Sequence, residues 1–190
     1  MPSVFEVLGH DHQEVKQILS ELEKGPTAAS GASEKDLALR KKMVEQLVIE
    51  ESRHEAVEEM YFWPAVQERV PDGERLAATA TQQEQEGKEV LDRLDKLDAS
   101  ETEFEKLVAT FVTAGRTHID YEETQVWPLL RAALTAEQAD ELGDRLQTAK
   151  KTAPTRPHPH TPPSPGVLKT GGPAVAAADK LRDKASGRGD

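Results

Sequence analysis

Two stretches of this chain share one pattern, and that pattern restricts what the chain can fold into. Residues 54–64 read HEAVEEMYFWP and residues 118–128 read HIDYEETQVWP. Five positions coincide: His54 with His118, Glu58 with Glu122, Glu59 with Glu123, Trp63 with Trp127, and Pro64 with Pro128. The chain has no other tryptophan. A His and a Glu four residues apart lie one turn apart on the same helical face. Such a face offers a metal ion one neutral nitrogen and one carboxylate oxygen. Two of them, turned toward each other, can hold two ions with the carboxylates between. A single HxxxE is ordinarily a surface ion pair or a core histidine satisfied by its glutamate. Two copies with matching flanks, each on an apolar-lined face, leave four buried polar groups to satisfy at about 1–3 kcal/mol each. Metal coordination satisfies them; the rival reading is an inert bundle with internal ion pairs.

The surrounding sequence reads as helices. From about Val4 to Lys24, Phe5, Leu8, His12, Val15, Leu19 and Leu22 follow the spacing of one buried face, behind a Ser3–Glu6 capping box. His12 lies in this stripe and His10 points to solvent; taken alone, His12 reads as a core-edge histidine bonded to a neighbour. A second helix, capped by Ser33, runs to about Trp63-Pro64, where Pro64 must kink or end it. Its inner face carries Met43, Leu47, His54, Glu58 and Tyr61. Glu50 reads as solvated, and Glu51 as either solvated or an acceptor for a ligand imidazole.

After a VPDG turn, a third helix spans about Glu74 to Leu97. Val90, Leu91, Leu94 and Leu97 mark its buried face, which continues backward through Gly87, Gln83/Glu84 and Ala80. That polar half suits a helix passing a polar centre. Ser100 to Glu103 reads as the capping box of a fourth helix, reaching about Pro128, with Phe104, Leu107, Phe111, Ala114/Gly115, His118, Glu122 and Val126 inside. A short fifth helix, about Ala136 to Lys150, is capped by Thr135 with Gln138. The expected fold is all-α: an up-down-up-down four-helix bundle with a short fifth helix over residues 1–150, then a flexible Pro/Gly-rich tail over 151–190. The tail is expected to be polyproline-like from 152 to 173 with His158 and His160 solvated, and unstructured beyond, the alternative being a short basic helix at 174–186 or a tethered peptide lying over the bundle.

The formal charge of −11 is unevenly spread. From Lys150 onward there are eight Lys/Arg and three Asp, so the residues before it carry −16. A body this acidic repels phosphate, which argues against nucleic-acid binding and for cation binding. The absence of cysteine removes disulfides, thiolate ligands, cysteine nucleophiles and cysteine-held iron–sulfur clusters together. No basic-then-apolar leader and no long apolar run are evident, so a cytoplasmic protein without a membrane span is expected.

Taken together, Asp11-His12 in the first helix and HxxxEE followed by Pro in the second and fourth resemble the hemerythrin-like, or HHE cation-binding, family. The resemblance covers Val4 to about Lys150. It implies a non-haem di-iron centre inside a four-helix bundle, two iron ions with an oxo or hydroxo bridge. His12, His54 and His118 would then be nitrogen ligands, and Glu58 and Glu122 bridging carboxylates. Iron comes from the resemblance; spacing alone also permits manganese or zinc. The Glu-x-x-His pattern of ferritin-like di-iron proteins does not match.

The family usually places a histidine in the first half of the third helix, and this helix has none. With Val90, Leu91 and Leu94 in the family's apolar positions, Glu84 falls where that histidine would sit. Glu84 is therefore expected to supply an oxygen, with Gln83 or Gln85 as substitutes. An added carboxylate favours ferric over ferrous iron, which suits redox chemistry on peroxide better than reversible oxygen carriage. The expected function is catalase- or peroxidase-like chemistry on peroxide or oxygen, in oxidative stress, with no catalytic residue beyond the metal ligands. The alternatives are binding or sensing of oxygen or nitric oxide, and iron storage or donation. The partner is a small diatomic or peroxide ligand, and a monomer is favoured.

Overall fold

Every regular element in the computed structural model is helical, and the structure describes residues 1–160 and 165–187. In chain order the helices are α1 (Val4–Lys24), α2 (Glu34–Val57), α3 (Trp63–Arg69), α4 (Gly73–Asp95), α5 (Thr102–Tyr121), α6 (Trp127–Ala133), α7 (Ala136–Lys150) and α8 (Pro165–Ser186). The starts follow local chemistry. Ser3 with Glu6, Ser33 with Asp36, and Thr135 with Gln138 form reciprocal capping boxes at α1, α2 and α7. The box expected at Ser100 does not form. The cap residue is Glu101, whose side chain turns back to the Asp98 amide at 2.8 Å.

The two Trp-Pro pairs neither end nor sharply break their helices. One π turn, Glu58–Phe62, joins α2 to α3, and another, Glu122–Val126, joins α5 to α6. In each, the tryptophan amide donates five residues back, Trp63 to the Glu58 carbonyl and Trp127 to the Glu122 carbonyl. Proline has no amide to donate and crowds the carbonyl one turn back. The wider turn accommodates it and lets the helix continue, so the second helical run reaches Arg69 and the fourth reaches Ala133, beyond the proline ends expected from sequence.

α1, α2, α4 and α5 form the four-helix bundle, with α1 against α2, α2 against α4, α4 against α5 and α5 back against α1. Short connections between successive neighbours make the arrangement up-down-up-down. At the turn into α4, Asp72 takes a left-handed conformation, and a Cβ at Gly73 would collide with the Val66 carbonyl. The bundle has two apolar cores. One gathers Leu8, Val57, Phe62, Trp63, Val66 and Leu130. The other gathers Leu19, Leu47, Leu91, Leu94, Phe104 and Phe111. Each buried side chain of this size contributes about 1.5–3 kcal/mol. α7 docks on α1 and α2, with Leu146 fully buried.

The segment after α7 was expected to be an unstructured tail, with a peptide lying over the bundle as the alternative. Its described part lies on the bundle. Ala153 and Thr155 are buried. Thr155 Oγ1 donates to Asp183 at 2.5 Å, and Arg156 bridges Asp183 and Asp95 at 2.8 and 3.2 Å. His158 pairs with Asp179 at 2.9 Å, and Gln85 donates to the Pro159 carbonyl at 2.9 Å. Asp95 lies on α4, and the other two aspartates that anchor it, Asp179 and Asp183, lie on α8, which is 22 residues long rather than short. Positions 161–164 of the expected linker and the last three residues lie outside the described residues.

Candidate metal centre

Four helical runs each deliver polar side chains to one level of the bundle. α2 brings His54 with Glu58 at its π turn, and α5 brings His118 with Glu122 at the other. α1 contributes His12 and α4 contributes Glu84. Glu58 and Glu122 are 0% exposed, and the other four are buried. They form two groups, His12–His54–Glu58–Glu122 and Glu58–Glu84–His118–Glu122, which share both glutamates. Within each group the candidate ligand atoms lie within 4.8 Å of one another. His12 Nε2 is 3.1 Å from Glu122, His54 Nε2 3.2 Å from Glu58, and His118 Nε2 3.1 Å from Glu122. Atoms bound at right angles to one ion about 2.1 Å away stand about 3 Å apart, so this spacing suits shared coordination.

Hydrogen bonding points the same way. Nε2 of all three histidines, both carboxylate oxygens of Glu58 and Glu122, and Oε2 of Glu84 are buried without a hydrogen-bond partner. Each would cost about 1–3 kcal/mol if left so. The other ring nitrogens are all engaged. His54 Nδ1 faces Asp11 at 3.3 Å, His118 Nδ1 faces Gln83 at 3.1 Å, and His12 Nδ1 faces Glu123 at 2.9 Å. An acceptor at Nδ1 fixes the proton there, orients the ring and leaves Nε2 free to bind a cation. Lys150 holds Asp11 at 2.5 Å, and Lys16 holds both Glu123 oxygens at 2.8 Å. The donor set therefore fits a pair of cations.

All six residues expected from sequence as ligands come together. Gln83 serves as the acceptor for His118, and Gln85 reaches the tail. Glu51 is buried rather than solvated, near the three histidines, whose charges pull against the burial that raises its pKa. Glu50 is half-buried between Gln46 and Lys150. The supporting roles of Asp11, Glu123, Lys16 and Lys150 were not anticipated. The doubled glutamate of the repeat and the Asp-His pair were the available signals.

The family model for the hemerythrin HHE cation binding domain matches residues 3–130. The chain belongs to this family. It is similar to a hemerythrin-like protein of Schizosaccharomyces pombe, 29% identical over 139 residues that make up 73% of this chain and 68% of that protein. Its fold is similar to the crystal structure of a hemerythrin HHE cation binding domain-containing protein from Mycobacterium kansasii. The TM-score is 0.65 at 23% identity, covering 94% of this chain and 99% of that one. The family match stops before α7, whereas the fold similarity extends beyond it.

In this hemerythrin-like chain the two halves of the centre correspond. Asp11, His12 and Lys16 on α1 match Gln83, Glu84 and Lys88 on α4 at the same spacing. Asp11 and Gln83 each face the Nδ1 of a repeat histidine. Lys16 binds Glu123, and Lys88 binds Glu59. The halves differ where Glu84 replaces an imidazole. Trp63 Nε1 donates to Glu84 at 2.5 Å, whereas Trp127 Nε1 is buried without a partner and its ring stacks on His12 at 5.0 Å.

The electrostatics reflect three carboxylates crowded at one level. Burial and then the Glu122 charge push the Glu58 carboxyl up, and burial and then Glu58 push Glu84 well up. Burial works against a charged His118, but Glu122 outweighs it and holds the imidazole up at about 9. Burial likewise opposes a charged His54, and Glu58 and Asp11 override it. For Glu122 the raising effect of burial is outweighed by His118 and then His12, and its pKa is lowered. Protons thus do the work a cation would do, and a metal ion would displace them.

Proposed function

We propose that this chain holds two iron ions, joined by an oxo or hydroxo bridge, and carries out catalase- or peroxidase-like chemistry on peroxide or oxygen. His12 and His54 would serve one ion, Glu84 and His118 the other, with Glu58 and Glu122 spanning both. When bound, such a pair supplies Lewis acidity and two electrons for chemistry at an O–O bond. The observation that carries the reading is Glu84, 2% exposed, with an unpartnered oxygen grouped with Glu58, His118 and Glu122. A third carboxylate makes one position harder and more anionic, which favours the oxidised metal over the reduced form needed to carry oxygen reversibly.

The rest of the chain supports this chemistry by positioning. Asp11, Gln83 and Glu123 hold the three imidazoles by Nδ1. Trp63 fixes Glu84 by its other oxygen. The two apolar cores on either side keep bulk water from the centre. The test is metal content, the ultraviolet–visible spectrum and oxygen release from added peroxide, all on one sample purified without an affinity tag. Near two irons per chain, oxo-to-ferric bands and oxygen release are expected. A di-iron protein that releases no oxygen from peroxide, yet binds oxygen reversibly when reduced, would overturn the reading.

A further inference from the structure

The segment after α7 walls one side of a partly open chamber over one half of the bundle. Its walls include Ser52, Glu55 and Ala56 from α2, Glu59 from the π turn, Lys88 from α4, and Pro154 and Val175 from the appended segment and α8. The matching face on the other half, with Lys16, Arg116 and Glu123, lines a somewhat more open groove. The chamber holds about 80 Å³. A water occupies roughly 30 Å³ in the liquid, so there is room for about two or three waters or one molecule of comparable size.

Ser52 and Glu55 each carry a buried side-chain oxygen with no hydrogen-bond partner, Oγ and Oε2. The nearest cation to that Glu55 oxygen is Lys88, at 3.8 Å, and Lys88 is already bound to Glu59. Arg156, also in the wall, is bound to Asp95 and Asp183. Glu55 and Glu59 in the wall share Lys88, and Arg156 is held by two aspartates, so an anionic guest would lose its hydration without gaining a counterion. Carbon from Ala56, Pro154 and Val175 covers the remaining sides.

We propose that this chamber binds one small uncharged molecule, of two to four heavy atoms, that both donates and accepts hydrogen bonds. It would donate to Glu55 and exchange a hydrogen bond with Ser52. Hydrogen peroxide belongs to this class. Its identification as the guest rests on the function proposed above; the site itself does not.

Formamide, with one donor group and one acceptor, is the probe. Saturation transfer from the full-length protein to formamide is measured in solution, with and without chelator treatment. Saturable transfer that survives metal removal and disappears in Ala56→Leu, which fills the chamber, is the expected result. Ser52→Ala should weaken binding about fivefold, through loss of one hydrogen bond. If Ala56→Leu does not fold by circular dichroism, Val175→Phe fills the space from the opposite wall. Transfer that does not saturate, that vanishes with the metal, or that persists in the filled variant overturns the proposal. Formamide binding in a protein that does not consume peroxide supports the chamber and sinks only the peroxide reading.

Discussion

His12 and Glu84 hold equivalent places in the two halves of the bundle. One is on α1 and the other on α4, each one turn before a lysine that grips the second glutamate of a repeat. Because one is an imidazole and the other a carboxylate, two ions held there would differ. One would see two nitrogens beside the shared glutamates, the other one nitrogen and an extra oxygen.

Glu84→Ala should therefore lower iron from about two ions per chain toward one, because it removes a ligand from one ion only. The visible spectrum should change with it. Full iron content with unaltered bands would exclude Glu84 as a ligand.

The tryptophans provide an asymmetric test. Trp63→Phe takes away the donor that meets Glu84 and should cost about 1–3 kcal/mol in the denaturant midpoint, with faster iron loss to a chelator. Trp127→Phe removes an indole N–H that has no partner, so its cost should be the smaller of the two. Equal effects would show that ring packing alone accounts for both.

The metal-free chain should be less stable in alkali. His118 sits at about 9 against an ordinary 6.5. A raised histidine pKa contributes stability that is fully present below pH 6.5 and lost as pH rises through 9. Glu55, raised from 4.5 to about 8, chiefly by burial, has the same sign over its own range. Tm of the metal-free protein should fall between pH 6.5 and 9. That of the metal-loaded protein should fall less, because a coordinated nitrogen carries no proton while Glu55, which is no ligand, still titrates. A metal-free Tm that climbs over this window would contradict the assignment.

Gly143→Ala should loosen α7. A Cβ there would run into the Pro2 carbonyl and approach the Ser3 and Val4 backbone. Overpacking of this kind costs about 1–3 kcal/mol. Since α7 carries Lys150 to Asp11, and Asp11 holds His54, the variant should also release iron faster. Normal iron retention with lowered stability would separate α7 from the centre.

Much of the bundle was legible because its signals are local. The 3–4 spacing of Leu8, His12, Val15 and Leu19 defines a face without reference to any partner, and Ser3 caps Glu6 within one turn. The leucines that follow on α4 narrowed the inward face to Gln83 or Glu84, and the family resemblance, whose pattern places a histidine there, selected Glu84. The prolines misled. Pro64 read as a kink or an end, and Pro128 as the limit of the fourth helix, because the π turn that absorbs each is a backbone adjustment with no residue signature beyond the proline itself.

By itself the sequence determined the helical class, the repeat, and that His12, His54, Glu58, His118 and Glu122 face inward, since each depends on periodicity along one helix. Tertiary structure alone decided what supports them and what covers them. Lys150 reaches Asp11 across 139 positions, Lys16 reaches Glu123 across 107, and Thr155 reaches Asp183 on α8 across 28. Hydrogen bonds over such separations follow from how helices pack, and no spacing along the chain encodes them.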